Sequence, residues 1–279
     1  MSCAVCGSTL QRSRAAVRHV HYVECQGCGV VYQTTLPDAV SLESLYNQCE
    51  GTYFTDKAKN ANAVAGEEWI RQTARFFLEQ LRLYYTDSLQ GACVLDIGCG
   101  TGVLLDEFQR CGAVCTGVEM STWASEYARN RFGLNILNAD ILSAELPLGH
   151  FDIVVMSHVI EHMANPNAIL HRVALLLKER GMVMICTPDN QSLGARIFGA
   201  KWLYYLPDEH LHLFSMQSIR FALEYNNLSV CAVQRYLWRK RSVVGALMRL
   251  PLHLLVTALR GSVQYVTAND GLIALARKV

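Results

Sequence analysis

Apolar residues recur along the chain with two periods. From Glu67 to Tyr85 they fall at helical spacing, at Ile70, Ala74, Phe77, Leu81 and Tyr84, and Asp87, Ser88 and Gly91 close that helix. Downstream, short apolar runs alternate with helical stretches. The runs at 92–97, 113–119, 134–137, 151–157, 182–187, 228–237 and 271–278 read as strands. The stretches at 101–110, 121–132, 167–178 and 216–225 read as helices, with Ser121 placed to cap the second of them. Strands alternating with helices predict an α/β protein with a doubly wound, mostly parallel sheet. Residues 1–34 form a separate cysteine-bearing module. Residues 35–90 link it to the α/β domain at 91–279, and their first half carries the cluster Tyr46, Tyr53 and Phe54.

Composition narrows the function classes. The chain has 279 residues, 51% of them hydrophobic and 18% charged, which is a globular balance. A net charge of +1 gives no broad electrostatic footprint for nucleic acid. The first residues, MSCAVCGSTLQRSR, hold no apolar signal core. The charge-free run from Leu250 to Leu259 is about half of the ~20 residues a membrane span needs. Of the eleven cysteines, four lie in the first 28 residues. The other seven are scattered, as buried free thiols are in a reducing cytosol. These features predict a cytoplasmic protein.

The segment Val94-Leu-Asp96-Ile-Gly98-Cys99-Gly100-Thr-Gly102 places a glycine-rich turn between a first strand and its helix, where a ligand meets bare backbone. The dinucleotide fingerprint G-x-G-x-x-G fails, because position 103 is Val. Asp96 would repel a pyrophosphate but suits an ammonium group. Glu119, 23 residues on, stands where an acid accepts both ribose hydroxyls, and Asp140 stands where one could accept an adenine amino group. S-adenosylmethionine has a carboxylate, an amino group and a ribose, and it fits this set.

VLDIGCGTG, GVEMS, NADIL, FDIVVMSHVIEHMANP and GMVMICTPDN resemble the successive motifs of class I S-adenosylmethionine-dependent methyltransferases. The resemblance covers about residues 40–235 and is to the small-molecule branch that includes ubiquinone-type O-methyltransferases. It implies a seven-stranded Rossmann-like methyltransferase sheet. It implies cofactor contacts at Asp96, Gly98, Cys99, Gly100, Gly102, Glu119, Met120, Asp140, Ile141, Ser157 and His158.

His158-Val-Ile-Glu161-His162 also matches the H-x-x-E-H string of a zinc-peptidase class. That chemistry needs both histidines on one face of an established helix. Here the strand FDIVVM runs straight into His158, and Pro166 follows soon after, so the protease reading fails. The ubiquinone-type relatives carry E-x-x-E-H at this place and can hold a divalent ion. His158 replaces the first glutamate and removes a hard oxygen ligand suited to magnesium. His162 either orders the loop or takes part in catalysis.

Cys3-x2-Cys6 and Cys25-x2-Cys28 are 18 residues apart, within the range of a tetrahedral four-cysteine zinc site. Four protein ligands close such a site, so Zn2+ would be structural. Gly7 and Gly29 follow the pairs as in zinc knuckles. Similar ribbons precede the methyltransferase domain of deoxysugar C-methyltransferases, whose large further C-terminal domain has no counterpart here.

The segment 188–215 is long for a βα connection and rich in aromatics. In the relatives it roofs the acceptor pocket, which points to Trp202, His210, Phe214 and Ser215. His210, with Asp208 and Glu209 beside it, is the preferred general base for a hydroxyl acceptor, and His162 is the second candidate. In 238–264, arginines at 239, 241, 249 and 260 alternate with apolar stretches. That pattern suits an interfacial helix at the inner membrane face. It equally suits a helical insert, at about 242–264, docked on its own domain or on a second subunit. The expected activity is methyl transfer from S-adenosylmethionine to a small acceptor, a sugar, glycan or quinone-like metabolite, most simply at oxygen. An rRNA base methyltransferase with a zinc ribbon and a non-catalytic cofactor-binding protein remain the other two classes.

Overall fold

The computed structural model describes residues 2–35, 63–236 and 270–279. Tyr46, Tyr53, Phe54, Cys49 and the stretch 238–264 lie outside the described residues. Among the described residues no helix is long and apolar enough to cross a membrane.

Seven strands build the main sheet: β4 (Cys93–Ile97), β5 (Val114–Glu119), β6 (Asn135–Asn138), β7 (Phe151–Ser157), β8 (Leu177–Pro188), β10 (Leu228–Tyr236) and β11 (Gly271–Lys278). Their order is β10-β11-β8-β7-β4-β5-β6. Pairing is parallel from β6 to β8, and β11 runs antiparallel to both β8 and β10. Val94, Leu95, Ile153, Val154, Val155, Met184 and Ile185 are fully buried, as expected of strands covered on both faces. This is the doubly wound, Rossmann-like methyltransferase sheet anticipated from the alternation.

Among the described residues six helices accompany the sheet: α1 (Ala63–Arg82), α2 (Val103–Arg110), α3 (Thr122–Phe132), α4 (Pro166–Leu176), α5 (Leu193–Phe198) and α6 (Met216–Tyr225). Ser121 caps α3 as expected, accepting from Ala124 N. In α1 the buried face is Ala74, Phe77, Leu78 and Leu81, whereas Ile70 faces solvent. The helical stretch expected to reach Lys178 stops at Leu176. Leu177 already pairs with Phe151, and a register shift follows in which Arg180 takes φ 64°. Lys178 instead binds both carboxylate oxygens of Asp152, at 2.9 and 2.8 Å. Of the scattered thiols, Cys99, Cys115 and Cys186 are buried as expected, but Cys231 is exposed.

A second sheet, in the order β1-β2-β3-β9, joins β1 (Gln11–Val17), β2 (Val20–Cys25) and β3 (Val31–Gln33) to β9 (His212–Leu213). The last strand belongs to the long 188–215 connection, so the N-terminal segment and that connection share hydrogen bonds. Cys3, Val5, Val30 and Tyr32 bury into the same core as Ile160, Phe214 and Leu223.

Candidate active site and four-cysteine cluster

Parallel register brings the C-terminal ends of β4 to β8 to one edge. Ile97 pairs with Val118, Glu119 with Asn138, and Ser157 with Cys186. The loops that follow these residues therefore share one side of the sheet, where open α/β folds bind ligands.

Gly98, Gly100 and Gly102 all adopt the left-handed region, at φ 67°, 53° and 79°. A Cβ on Gly98 would stand 2.6 Å from Val159 Cγ2, and one on Gly102 would stand 2.8 Å from Ala128 Cβ. Both positions thus need glycine for conformation and for space. Glu119 holds the loop: Gly100 N donates to its Oε2 at 2.9 Å and Ser121 N to its Oε1 at 2.8 Å. Burial pushes the Glu119 carboxyl up, against those backbone donors. Each oxygen keeps a further lone-pair direction for a hydroxyl.

Asp96 is buried, and its Oδ1 has no protein hydrogen-bond partner. Burial and the charge of Glu119 push its carboxyl well up. An orphaned buried acceptor is costly unless a donor reaches it, and an ammonium group would supply one. Met120 is half-buried, while Asp140 is exposed with Oδ1 accepting from Leu142 N at 2.9 Å. Ile141 is buried at 4% exposure and packs in the main core. Glycine backbone, an unsatisfied carboxylate and two further acids fit the amino, ribose and base parts of S-adenosylmethionine.

Beyond β7 the chain reverses at His158, which takes φ 57° while its N–H bonds Cys186 O at 2.8 Å. A 3-10 turn at Ile160–His162 follows, then Asn165 caps α4. His158 and His162 share no helix, so the peptidase arrangement is absent here. Glu161 is fully buried and accepts from His158 Nδ1 at 3.0 Å and from Thr187 Oγ1 at 2.9 Å. Burial alone would raise its carboxyl, but the His158 bond and the charges of the nearby histidines outweigh this and hold it at about 2.

The rings of His162 and His210 lie 4.8 Å apart at 78°. His162 Nδ1 meets Glu209 O at 2.9 Å, and His210 Nδ1 meets Tyr204 O at 2.8 Å. A carbonyl partner places the proton on Nδ1, so each neutral ring carries its lone pair on Nε2. The ligand atoms of Glu161, His162 and His210 all lie within 4.8 Å of one another. Asp208 does not face His210. It pairs with Arg18 at 2.9 Å on the surface. Glu161 is an acid near both rings, and the charge of Glu209 also acts on His162. The start of α6 is capped by Ser215 and Ser218. Trp202, expected to face the acceptor, is 2% exposed and donates Nε1–H to Asp270 Oδ2 at 2.7 Å, so it anchors the roof.

Burial pushes His162 down to about 4, and it does the same to His212, with Met163 O opposing at Nδ1. A histidine with a lowered folded pKa stabilises the fold above its unfolded pKa. That contribution is lost as pH falls toward the folded value. Stability should therefore fall between about pH 6.5 and pH 4, with His212 alone giving on the order of 3 kcal/mol. Glu161 adds to the fall below its usual carboxylate range. Chemical denaturation at a series of pH values checks this. Equal stability at pH 7 and pH 4.5 would contradict it.

In the N-terminal segment, Cys3 Sγ lies 3.6 Å from Cys28 Sγ, and Cys6 Sγ lies 3.3 Å from Cys25 Sγ. All four sulfurs fall within 4.8 Å of one another. A tetrahedral zinc with bonds of about 2.3 Å sets its sulfurs roughly 3.8 Å apart. Cys28 as hydrogen-bond partner pulls the Cys3 thiol down to about 5. Backbone donors on the sulfurs include Val5 N on Cys3, at 3.4 Å, and Gly27 N on Cys25, at 3.3 Å. Gly7 and Gly29, at φ 74° and 78°, follow the two pairs. Their N–H groups bond Cys3 O and Cys25 O at 2.8 and 2.9 Å, closing each knuckle.

Sequence reasoning missed Gln33 and Tyr22, which reach the backbone around His210, and Thr187, which completes Glu161. Gln33 and Tyr22 carry no motif, and Thr187, although it lies within GMVMICTPDN, meets Glu161 across 26 residues that the motif does not connect.

Comparison with known proteins agrees with this geometry. The family model described as a methyltransferase domain matches residues 65–233. A ubiquinone biosynthesis O-methyltransferase from Glaesserella parasuis serovar 5 is 33% identical over 153 residues, 49% of this chain and 65% of that protein. One from Rhodopseudomonas palustris is 34% identical over 121 residues, 41% of this chain and 48% of that protein. The chain thus spans less than two thirds of these curated relatives. Among solved structures, the magnesium protoporphyrin IX methyltransferase of Synechocystis aligns with a TM-score of 0.60 at 16% identity, covering 85% of this chain and all 100% of that one. A SAM-dependent methyltransferase from Archaeoglobus fulgidus gives 0.56 at 20% identity, covering 81% and 99%. With its family match over most of the described α/β domain and its seven-stranded sheet, the chain belongs to the methyltransferase-domain family and carries the class I fold of the S-adenosylmethionine-dependent enzymes.

Proposed function

We propose that the chain transfers the sulfonium methyl of S-adenosylmethionine to an oxygen of a small acceptor. The observation that carries this is the facing pair His162 and His210 beside Glu161, on the sheet edge that also holds the glycine loop. The names of the 30–34% identical relatives support oxygen as the target. Asp96 would hold the ammonium, Glu119 the ribose, and the bare backbone at Gly98 to Gly102 would let both approach. His210 would take the hydroxyl proton as the methyl carbon leaves sulfur, so most of the rate comes from alignment. A quinone-like or sugar hydroxyl is the class of acceptor that suits this pair. Release of S-adenosylhomocysteine with small-metabolite extracts, fractionated by size and charge, tests the reading. Turnover only with ribosomal RNA, or with nothing, would overturn it.

Two metal readings go with it. The four N-terminal cysteines would hold one structural Zn2+, read directly by elemental analysis. A divalent ion on Glu161, His162 and His210 is a second reading of the site, favoured by their mutual distances. It would occupy both lone pairs and leave no base in the pair. Metal beyond one ion per chain that disappears in Glu161→Gln would favour it.

Glu119→Ala should weaken S-adenosylmethionine binding by on the order of 2–3 kcal/mol, since it removes charged hydrogen bonds and frees Gly100 and Ser121. Titration calorimetry at wild-type affinity would remove Glu119 from the site.

A further inference from the structure

We propose that Gln33 and Tyr22, on the four-cysteine sheet, are positioning residues for His210, which makes that sheet a working part of the acceptor site. The proposal rests on the reading of His210 as the acceptor-side base. Gln33 is 1% exposed, and its side-chain nitrogen lies 2.7 Å from Pro207 O and 2.9 Å from His210 O. Its backbone N–H donates to Leu211 O at 3.1 Å. The Tyr22 hydroxyl, on a fully buried residue, donates to His210 O at 3.3 Å. Three carbonyls of one turn, at 207, 210 and 211, therefore take their donors from β2 and β3.

The opposite side of the turn is held by the motif after β7. Leu211 N donates to Glu161 O at 2.8 Å, and His162 Nδ1 donates to Glu209 O at 2.9 Å. The turn is clamped between the two. Clamping matters because it carries the ring that must meet the acceptor: His210 lies against His162 and stacks on Tyr204 at 6.0 Å and 10°. A displacement of about 1 Å at such a group can cost on the order of a hundredfold in rate. A purely space-filling residue at position 33 could be apolar. An apolar side chain would leave buried carbonyls without donors, and the turn would open to find water.

The test uses the full chain and needs no acceptor. Gln33→Met keeps the side-chain length and removes both donors, and Tyr22→Phe removes one hydroxyl. Hydrogen exchange of residues 206–213, the nuclear Overhauser effect between the His162 and His210 rings, and S-adenosylhomocysteine affinity by calorimetry are measured together. In Gln33→Met, exchange at His210 and Leu211 should rise on the order of tenfold or more, and the ring-to-ring effect should weaken. In Tyr22→Phe the rise should be a few-fold. Affinity for S-adenosylhomocysteine should stay within about twofold, and β4 should exchange as before. Wild-type protection at 206–213 in both variants overturns the proposal, and so does an equal rise in β4, which would mean a general loss of stability. If Gln33→Met does not fold, Tyr22→Phe alone decides. Absence of turnover in the wild type would sink the methyltransferase reading while leaving these exchange results to decide the clamp.

Discussion

Replacing His210 by glutamine should lower kcat by on the order of 10²–10⁴, with cofactor affinity and melting temperature kept. Glutamine can still donate to Tyr204 O, so the turn keeps its bond, but it cannot take a proton at neutral pH. His162 is not an equal rival. Burial pushes it down to about 4, which makes it a poor proton acceptor. His162→Gln can likewise keep a donor on Glu209 O, so it should leave kcat far closer to wild type than His210→Gln does. Rates of S-adenosylhomocysteine release with the most active extract fraction, across pH 6 to 9, separate the two roles. If His210→Gln stays within about threefold of wild type over that range, the base assignment is wrong.

Exchanging Cys25 and Cys28 together for serine should bring the zinc content from one per chain to near zero. Small four-ligand zinc sites contribute on the order of 10 kcal/mol to the folding of the pieces they staple. That exceeds what the short strands β1 to β3 can supply by burial. Val30, Val31 and Tyr32 sit in the core beside Phe214 and Leu213, so the loss should lower the melting temperature of the whole chain. Elemental analysis and a thermal melt check both parts. Metal retained by the double variant would move the site elsewhere.

Much of the α/β core was legible because its signals are local. FDIVVMS and GLIALARK are apolar runs with polar ends, and β7 and β11 start and stop where those runs do. The glycine turn announced itself through three glycines, and all three take the left-handed conformation that only glycine adopts cheaply. Leu177 and Lys178 misled because a lysine closing an apolar stretch looks like a helix's last turn. The role of Lys178 depends on Asp152, 26 residues away. The His162–His210 pairing could not be read, since it depends on how two loops meet. The same holds for Trp202, whose partner Asp270 lies 68 residues downstream. The two-residue strand β9 carries no periodicity of its own. It exists because β3 offers it an edge.

That edge also sets a timetable for synthesis. β2 and β3 emerge early, but their contacts to Pro207 and His210 span up to 188 residues. At 5–20 residues per second the outer edge of β3 would wait roughly 10–40 s for β9. An unpaired edge of Val31, Tyr32 and Gln33 is a template for pairing with other chains. If the four cysteines take zinc as proposed, its capture would need only the first 28 residues, so the knuckles could close while the ribosome is still translating. Zinc supply during translation would then govern the yield of native protein more than the stability of the finished chain does.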